Sequence, residues 1–177
     1  ARFHSGKALF LDTPEPRLDQ SSTFSAISEL QMFMEYFPAS KRKTEAQQMI
    51  FELQDKLVMK DYLTAKLYYD LGTYTGNASY TADMRINGNN FLACITTAQN
   101  ALKDYPYTSM REDISILLLR AKHKLGSESV LEKKEERMRE TIDEYYAFKN
   151  EFPESKYMKE VEAIYKDASK YVKELNE

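Results

Sequence analysis

The residues that could do chemistry are few and stand far apart in the sequence. There are two histidines, His4 and His123, and one cysteine, Cys94. Neither histidine has an acidic or cysteine partner at the helical spacing that a metal site needs, and Cys94 stands among apolar residues with no histidine beside it. We therefore expect two ordinary histidines and a buried cysteine that behaves as a small apolar residue.

Paired acids do not change this expectation. Glu135 and Glu136 lie in the run E-K-K-E-E-R-M-R-E at 132–140, where opposite charges alternate at helical spacing. Local ion pairs on a solvated helix explain such a run without acid–base catalysis. The sequence also lacks a glycine-rich phosphate loop and a nucleophile elbow. We expect a protein that is not an enzyme, with no catalytic residue, no metal and no cofactor.

Composition narrows the class of protein further. Among 177 residues there are only five glycines and five prolines, a balance that favours helices. A net charge of −3 gives no electrostatic footprint for nucleic acid, and a single cysteine excludes an internal disulfide. The chain starts at Ala1 rather than at a methionine, inside what reads as a helix. It is therefore expected to be part of a longer protein.

The elements that must position any site are helices, because apolar residues recur with helical period along most of the chain. Four such stripes are Phe24, Ile27, Leu30, Met34 and Phe37; Ala46, Met49, Ile50, Leu53 and Leu57; Ile114, Leu117, Leu118, Ala121 and Leu125; and Tyr157, Val161, Ile164, Tyr165, Ala168, Tyr171, Val172 and Leu175. The two prolines of residues 12–19 interrupt the pattern, and residues 75–90 predict an exposed loop.

Three aromatic–proline turns repeat along the chain. They are Phe37-Pro38, Tyr105-Pro106 and Phe152-Pro153, and each is followed two residues later by a hydroxyl residue, Ser40, Thr108 or Ser155. Proline disfavours the helical conformation in the residue before it, and the hydroxyl is suited to cap the next helix. Each turn therefore predicts the junction between two helical hairpins, with the aromatic ring packed back on the helices.

The spacing of these turns predicts the fold class. The prolines of the turns are 68 and 47 residues apart, so the repeats are irregular. Tyr68-x-x-Leu71-Gly72-x-Tyr74 approximates the W-x-x-L-G-x-x-Y pattern of tetratricopeptide repeats. We predict an all-α, irregular tetratricopeptide-like array of helical hairpins, an α–α superhelix, as one domain over residues 1–177.

Longer motifs resemble a particular family. They are R-L-D-Q-S-S-T-F-S-A-I at 17–27, A-K-L-Y-Y-D-L-G-T-Y at 65–74, N-A-L-K-D-Y-P-Y-T-S-M-R-E-D at 100–113, the S-V-x-E-K-K-E-E-R element at 129–137, and Y-Y-x-F-x-x-E-F-P-E-S-K-Y at 145–157. In this order they resemble the BamD family of outer-membrane assembly lipoproteins, in the form found in Bacteroidetes.

The resemblance implies a place and partners. Members are lipid-anchored at the periplasmic face of the outer membrane, and their C-terminal repeats dock on the periplasmic domains of the barrel-forming assembly protein. Their N-terminal repeats receive unfolded outer-membrane proteins. No nucleic-acid partner is implied, and membrane attachment runs only through an N-terminal lipid anchor that this chain does not include.

The resemblance also suggests binding residues. The basic residue before D-Y-P, Lys103, matches a position where relatives carry an arginine that serves partner docking, although lysine lacks the bidentate fork of arginine. Partner binding is accordingly expected at Lys103, Asp104, Tyr107 and Arg111.

Two alternatives remain open. The residues inserted at 75–90 relative to the family form either a contact loop or neutral surface, and we favour the second. The rival function is a generic tetratricopeptide adaptor that captures a peptide or protein elsewhere in the cell.

Overall fold

The computed structural model describes residues 1–73 and 89–172, and within these residues it contains seven α-helices and no strand. The helices are α1 (Arg2–Leu11), α2 (Ser21–Tyr36), α3 (Lys43–Leu71), α4 (Asn90–Asp104), α5 (Arg111–Ser127), α6 (Leu131–Glu151) and α7 (Met158–Ala168). A 3₁₀ turn, Ser169–Tyr171, follows α7. The predicted all-α, tetratricopeptide-like helical array is confirmed.

The chain divides into two compact units. Unit 1 comprises Ala1–Leu63 and Tyr105–Met110, and unit 2 comprises Thr64–Asp104 and Arg111–Glu177. The boundary falls within α3, so the first two-thirds of that helix belong to unit 1 and its end to unit 2.

The core of unit 1 joins α1, α2 and the start of α3. Its buried residues are Phe3, Ala26, Leu30, Phe33, Ala46, Met49, Ile50 and Leu53. The rings of Phe3 and Phe33 meet edge to face with centroids 5.3 Å apart, which places the start of α1 beside the end of α2. Between α1 and α2 the buried side chain of Gln20 donates to the carbonyl of Glu15 at 2.7 Å and accepts from Thr23 at 2.7 Å. These bonds fix the proline-containing connection.

The predicted buried face of α2 was partly wrong. Phe24 is 58% exposed and Phe37 is 51% exposed, whereas Thr23 and Ala26 are fully buried. The buried face of α2 also carries Leu30 and Phe33, and Thr23 is held there by its hydroxyl bond to the buried side chain of Gln20. The predicted stripe of α3, from Ala46 to Leu57, is buried as expected.

The core of unit 2 is built around α5, which is buried on nearly all sides. Besides the predicted Ile114, Leu117, Leu118, Ala121 and Leu125, it also buries Ile116 and Leu119. A helix that is apolar all round lies between other helices. Of its neighbours, Tyr145 and Phe148 of α6 and Val161 and Ile164 of α7 form one buried cluster with Ile116 and Leu119. The other buried residues of these helices are Phe91, Cys94, Ile95, Ala98 and Ala101 of α4, Met138, Thr141 and Ile142 of α6, and Ala168 of α7.

The glycine of the repeat-like pattern ends α3. Gly72 has φ of +54°, and its N–H donates to the carbonyl of Tyr68 at 3.1 Å. A side chain there would be strained and would lie 3.2 Å from the ring of Phe91. Glycine thus provides both the left-handed C-terminal cap and room for α4.

The last helix is shorter than its stripe predicts. It ends at Ala168, where the chain passes into the 3₁₀ turn Ser169–Tyr171, and Val172 is already extended. Leu175 of the stripe lies outside the described residues, as do residues 75–88 of the predicted loop, and Asn90 already begins α4.

Candidate interaction surfaces

The four predicted partner-binding residues are divided between the units. Lys103 and Asp104 lie exposed in the last turn of α4, and Arg111 begins α5, all in unit 2. Tyr107 lies in unit 1 and is 92% exposed, more than any other large hydrophobic residue described. An exposed tyrosine on an ordered turn is the kind of side chain that anchors protein interfaces.

Arg111 is engaged within unit 2. Its guanidinium forms an ion pair with Glu151 at the end of α6, with Nη2 3.4 Å from Oε2, and Nη1 reaches the carbonyl of Leu102 at 3.5 Å. These contacts hold the start of α5 to the ends of α4 and α6. They favour a structural part for Arg111, and its docking role stays a prediction.

A carboxylate on α3 holds the turn that carries Tyr107. Asp55 accepts hydrogen bonds from the hydroxyls of Thr108 and Ser109, each at 2.8 Å, within unit 1. The hydroxyl of Thr108 also accepts from the N–H of Met110 at 3.2 Å. The bonds to Asp55 and the bond within the turn therefore hold the residues that directly follow Tyr107 in the chain, and so support its side chain.

The three hydroxyl residues of the aromatic–proline turns act alike. Ser40, Thr108 and Ser155 each accept a hydrogen bond from the N–H two residues later, at 3.2, 3.2 and 3.0 Å. These hydroxyls therefore hold the turn just before each helix, and the predicted capping of the first turn of the next helix is not observed at these described turns. Thr108 and Ser155 are also tied to acids, Asp55 and Glu112.

The aromatic residues of the turns are packed to different degrees. Phe152 joins the core of unit 2, with its ring 5.1 Å from that of Phe148. Phe37 lies 5.7 Å from Phe33 but remains half exposed, and with Phe3 and Tyr36 it lines an open groove of about 600 Å³ in unit 1. The prediction that the ring packs back on its helices therefore holds for Phe152 and only in part for Phe37.

Ion pairs link the helices of unit 2. Arg120 donates two hydrogen bonds to Glu160, at 2.7 and 2.6 Å, and this contact lowers the pKa of the Glu160 carboxyl. Lys122 contacts Glu144 at 2.6 Å, and both side chains are less than one-fifth exposed. These partners are 22 and 40 residues apart, so no local spacing in the sequence could reveal them.

The chemistry-bearing residues form no reactive group within the described part of the chain. Cys94 is buried, and burial raises the pKa of its thiol to about 12, so the reactive thiolate is suppressed. His4 faces Arg42 at 3.1 Å, and His123 contacts Asp167 at 3.0 Å, where the histidine hydrogen bond lowers the pKa of the carboxyl. In the described ranges, no three histidine, cysteine or acidic residues are grouped to hold a metal ion.

The charged run at 132–140 behaves as a solvated helix start. Arg139 and Glu135 pair at 3.0 Å across one helical turn of α6.

Among the described residues, no helix has the length and apolar character needed to cross a membrane.

Comparison with known proteins finds one family whose model matches part of the chain. Residues 2–85, somewhat less than half of the chain, match the family model YfiO, described as an outer membrane lipoprotein and akin to BamD. The matched part includes α1, α2 and α3. A search of curated proteins finds no match.

Proposed function

We propose, from the similarity of residues 2–85 to the YfiO outer membrane lipoproteins, that this chain is a non-enzymatic scaffold subunit of the machinery that assembles β-barrel proteins in the outer membrane. The family match carries the proposal, and the helical-hairpin fold is consistent with it. Stacked hairpins present exposed side chains on rigid helices, which suits docking rather than catalysis.

The proposed partner is the barrel-forming assembly protein, through its periplasmic domains, with unfolded outer-membrane proteins as a second partner. The full-length protein would be lipid-anchored at the periplasmic face of the outer membrane. Assignment to the form of the family found in Bacteroidetes is part of the same proposal. Each of these statements extends the family likeness, which by itself supports an outer-membrane association.

Tyr107 and Lys103 are the residues that we propose to contact the partner. Tyr107 supplies an exposed ring on a turn held by Asp55, and Lys103 supplies an exposed cation at the end of α4. Large aromatic residues and cations are the side chains that most often dominate binding at protein interfaces.

The experiment is affinity purification of the tagged full-length protein from solubilised cell envelopes. We expect an outer-membrane barrel protein with periplasmic repeats to copurify, and Tyr107→Ala or Lys103→Glu to reduce its recovery about fivefold or more. Lys159→Glu, an exposed lysine on α7, serves as the control and leaves recovery unchanged.

The same purification separates the rival function. A generic tetratricopeptide adaptor would copurify a soluble protein or enzyme and no barrel protein. That result, obtained with the wild-type full-length protein, would reject the assembly role.

A further inference from the structure

One end of unit 1 combines exposed aromatic rings with cations. The start of α1, the end of α2 and the start of α3 come together there, as the contacts of Phe3 with Phe33 and of Arg42 with His4 require. Tyr36 is 64% exposed and Phe37 is 51% exposed at this end. We call this surface the aromatic–basic end and define it by Arg2, Tyr36, Phe37, Lys41, Arg42 and Lys43.

The cations of the aromatic–basic end are arranged around the rings. The guanidinium of Arg2 lies 4.8 Å from the ring centroid of Tyr36, and that of Arg42 lies 4.8 Å from the centroid of Phe3. Lys41 and Lys43 are exposed, and the described part of unit 1 gives neither of them an ion pair. Arg2 thus stacks on an exposed ring of this end and Arg42 on a buried one, while Lys41 and Lys43 are exposed cations that follow the groove residues Phe37, Pro38, Ala39 and Ser40 in the chain.

Nearby acids compensate only part of this charge. Glu29 pairs with Arg2 at 3.9 Å, and Glu45 pairs with Lys7 at 2.8 Å. Glu35, in the last turn of α2, is the remaining carboxylate in these three helix ends. The N-terminus of α3 adds a partial positive charge at the same place, so the end is positive although the whole chain carries a net charge of −3.

The corresponding turn of unit 2 is an internal comparison. The turn F-P-A-S-K at 37–41 has its counterpart in F-P-E-S-K at 152–156, which forms a smaller groove of about 470 Å³. That groove is lined by the carboxylates of Glu112 and Glu154, and its Phe152 is packed into the core. Lys156 also lines that groove, so the two turns differ in the exposure of the aromatic ring and in the acids of unit 2, not in the presence of a cation.

We propose that the aromatic–basic end docks on an anionic lipid surface, with Tyr36 and Phe37 at the level of the headgroups and the cations on lipid phosphates. Aromatic residues favour the membrane interface, and each lysine or arginine near an anionic surface strengthens attachment. Three helix ends present these side chains together, and each of the two rings is more than half exposed. This breadth fits a plane of headgroups better than a single peptide side chain.

This contact goes beyond the proposed docking function and does not depend on it, because it is argued from the exposed rings and cations of unit 1 alone. The aromatic–basic end would also orient the protein on the membrane, because it lies at one end of unit 1.

A single introduced tryptophan, followed by its fluorescence, tests the proposal, since the chain contains no tryptophan of its own. In Tyr36→Trp the emission is expected to shift to the blue with phosphatidylglycerol vesicles at low salt, and to stay unchanged with phosphatidylcholine vesicles. Tyr107→Trp, at a fully exposed position outside the aromatic–basic end, should not shift with either. An absent shift at residue 36, or an equal shift at residue 107, overturns the proposal.

Charge reversal gives a second measurement. Lys41→Glu with Lys43→Glu should weaken sedimentation with phosphatidylglycerol vesicles about tenfold or more. Lys159→Glu with Lys166→Glu makes the same change of charge on α7. It should leave sedimentation within about twofold of wild type, because salt screens charges that lie far from the lipid surface. Equal losses in the two pairs would show attraction by net charge alone.

An anionic polymer separates a membrane surface from an acidic protein partner. If the emission of the Tyr36→Trp variant shifts with polyglutamate but not with phosphatidylglycerol vesicles, the aromatic–basic end is a protein-docking surface. That result, like equal losses in the two lysine pairs, contradicts the proposal.

Discussion

At the scale of single residues, two helical glycines differ in what an added methyl group would meet. At Gly6 a Cβ would lie 2.7 Å from Cδ2 of Leu30, a fully buried side chain of the core. At Gly126 the nearest atom, 3.1 Å away, is the sulfur of Met138, a flexible side chain. The same substitution should therefore have different consequences at the two positions.

We predict that Gly6→Ala lowers the free energy of unfolding by about 1–2 kcal/mol, because overpacking outweighs the gain in helix propensity. Gly126→Ala should change it by less than about 0.5 kcal/mol, since Met138 adjusts and the helix gains stability. Urea denaturation followed by circular dichroism measures both. Equal destabilisation of the two variants would refute the packing described around Leu30.

Asp55 is predicted to hold the turn that carries Tyr107. Asp55→Ala removes the acceptor of two hydroxyl hydrogen bonds and should destabilise the turn by about 1–3 kcal/mol. Faster amide hydrogen exchange over residues 105–110 is the expected result, with α1 and α2 unaffected. Glu52→Ala, at an exposed position on the same helix, is the control. Unchanged exchange in Asp55→Ala would exclude the proposed support.

The Arg120–Glu160 pair should make stability depend on pH. Because the hydrogen bond from Arg120 lowers the pKa of Glu160 in the folded state, the stabilisation is full above the ordinary glutamate value of 4.5 and is lost as the pH falls through the folded pKa. The stability difference between wild type and Glu160→Gln should thus shrink below about pH 4.5. The effect is modest, since the carboxylate is 43% exposed.

A double-mutant cycle supplies the control for this prediction. In an Arg120→Gln background, Glu160→Gln should no longer produce the pH-dependent difference. If the difference persists without the arginine, another group is responsible for it.

At the scale of elements, the aromatic–proline turns share one hydrogen bond, but the number of further bonds to the hydroxyl differs between them. The hydroxyl of Ser155 bonds both the N–H of Tyr157 and the carboxylate of Glu112, whereas the hydroxyl of Ser40 bonds the N–H of Arg42. We predict that Ser155→Ala costs about 1–2 kcal/mol of stability and Ser40→Ala about 0.5–1 kcal/mol. Chemical denaturation of the two variants gives the order, and the reverse order would contradict it.

The elements also show which structural features could be predicted from sequence patterns. The turns and the stripe of α3 were predictable because proline geometry and apolar period act locally. The buried face of α2 was not, since the burial of Thr23 depends on a hydroxyl bond to Gln20 that an apolar pattern does not register. The end of α7 was not either, because the apolar stripe continues through the 3₁₀ turn Ser169–Tyr171 to Val172.

The candidate site was predictable only in part for a related reason. Tyr107 was expected at the interface from the family resemblance, and the structure places it 92% exposed. Its support, Asp55, is more than 50 residues away in sequence, and the pairing of Arg111 with Glu151 spans 40 residues. The aromatic–basic end likewise combines residues of three helices, which only the fold brings together.

At the scale of the whole molecule, two compact helical units form one chain whose first part matches outer membrane lipoproteins. In the described residues Cys94 is buried and both histidines are paired, while the exposed Tyr36, Phe37 and Tyr107 lie at turns between helices. These features agree with the docking role proposed above, which rests on the family match. The prediction of a single repeat domain over residues 1–177 stays a prediction.

The central claim is that the chain docks on the barrel-forming assembly protein through the surface around Tyr107. The most direct measurement is site-specific photo-crosslinking in living cells, with the photoreactive residue at position 107 of the full-length protein and at the exposed position of Leu131 as control. We predict a crosslink from position 107, and not from position 131, to an outer-membrane barrel protein with periplasmic repeats. Crosslinks to soluble proteins alone, or none to a barrel protein from position 107, would contradict the account.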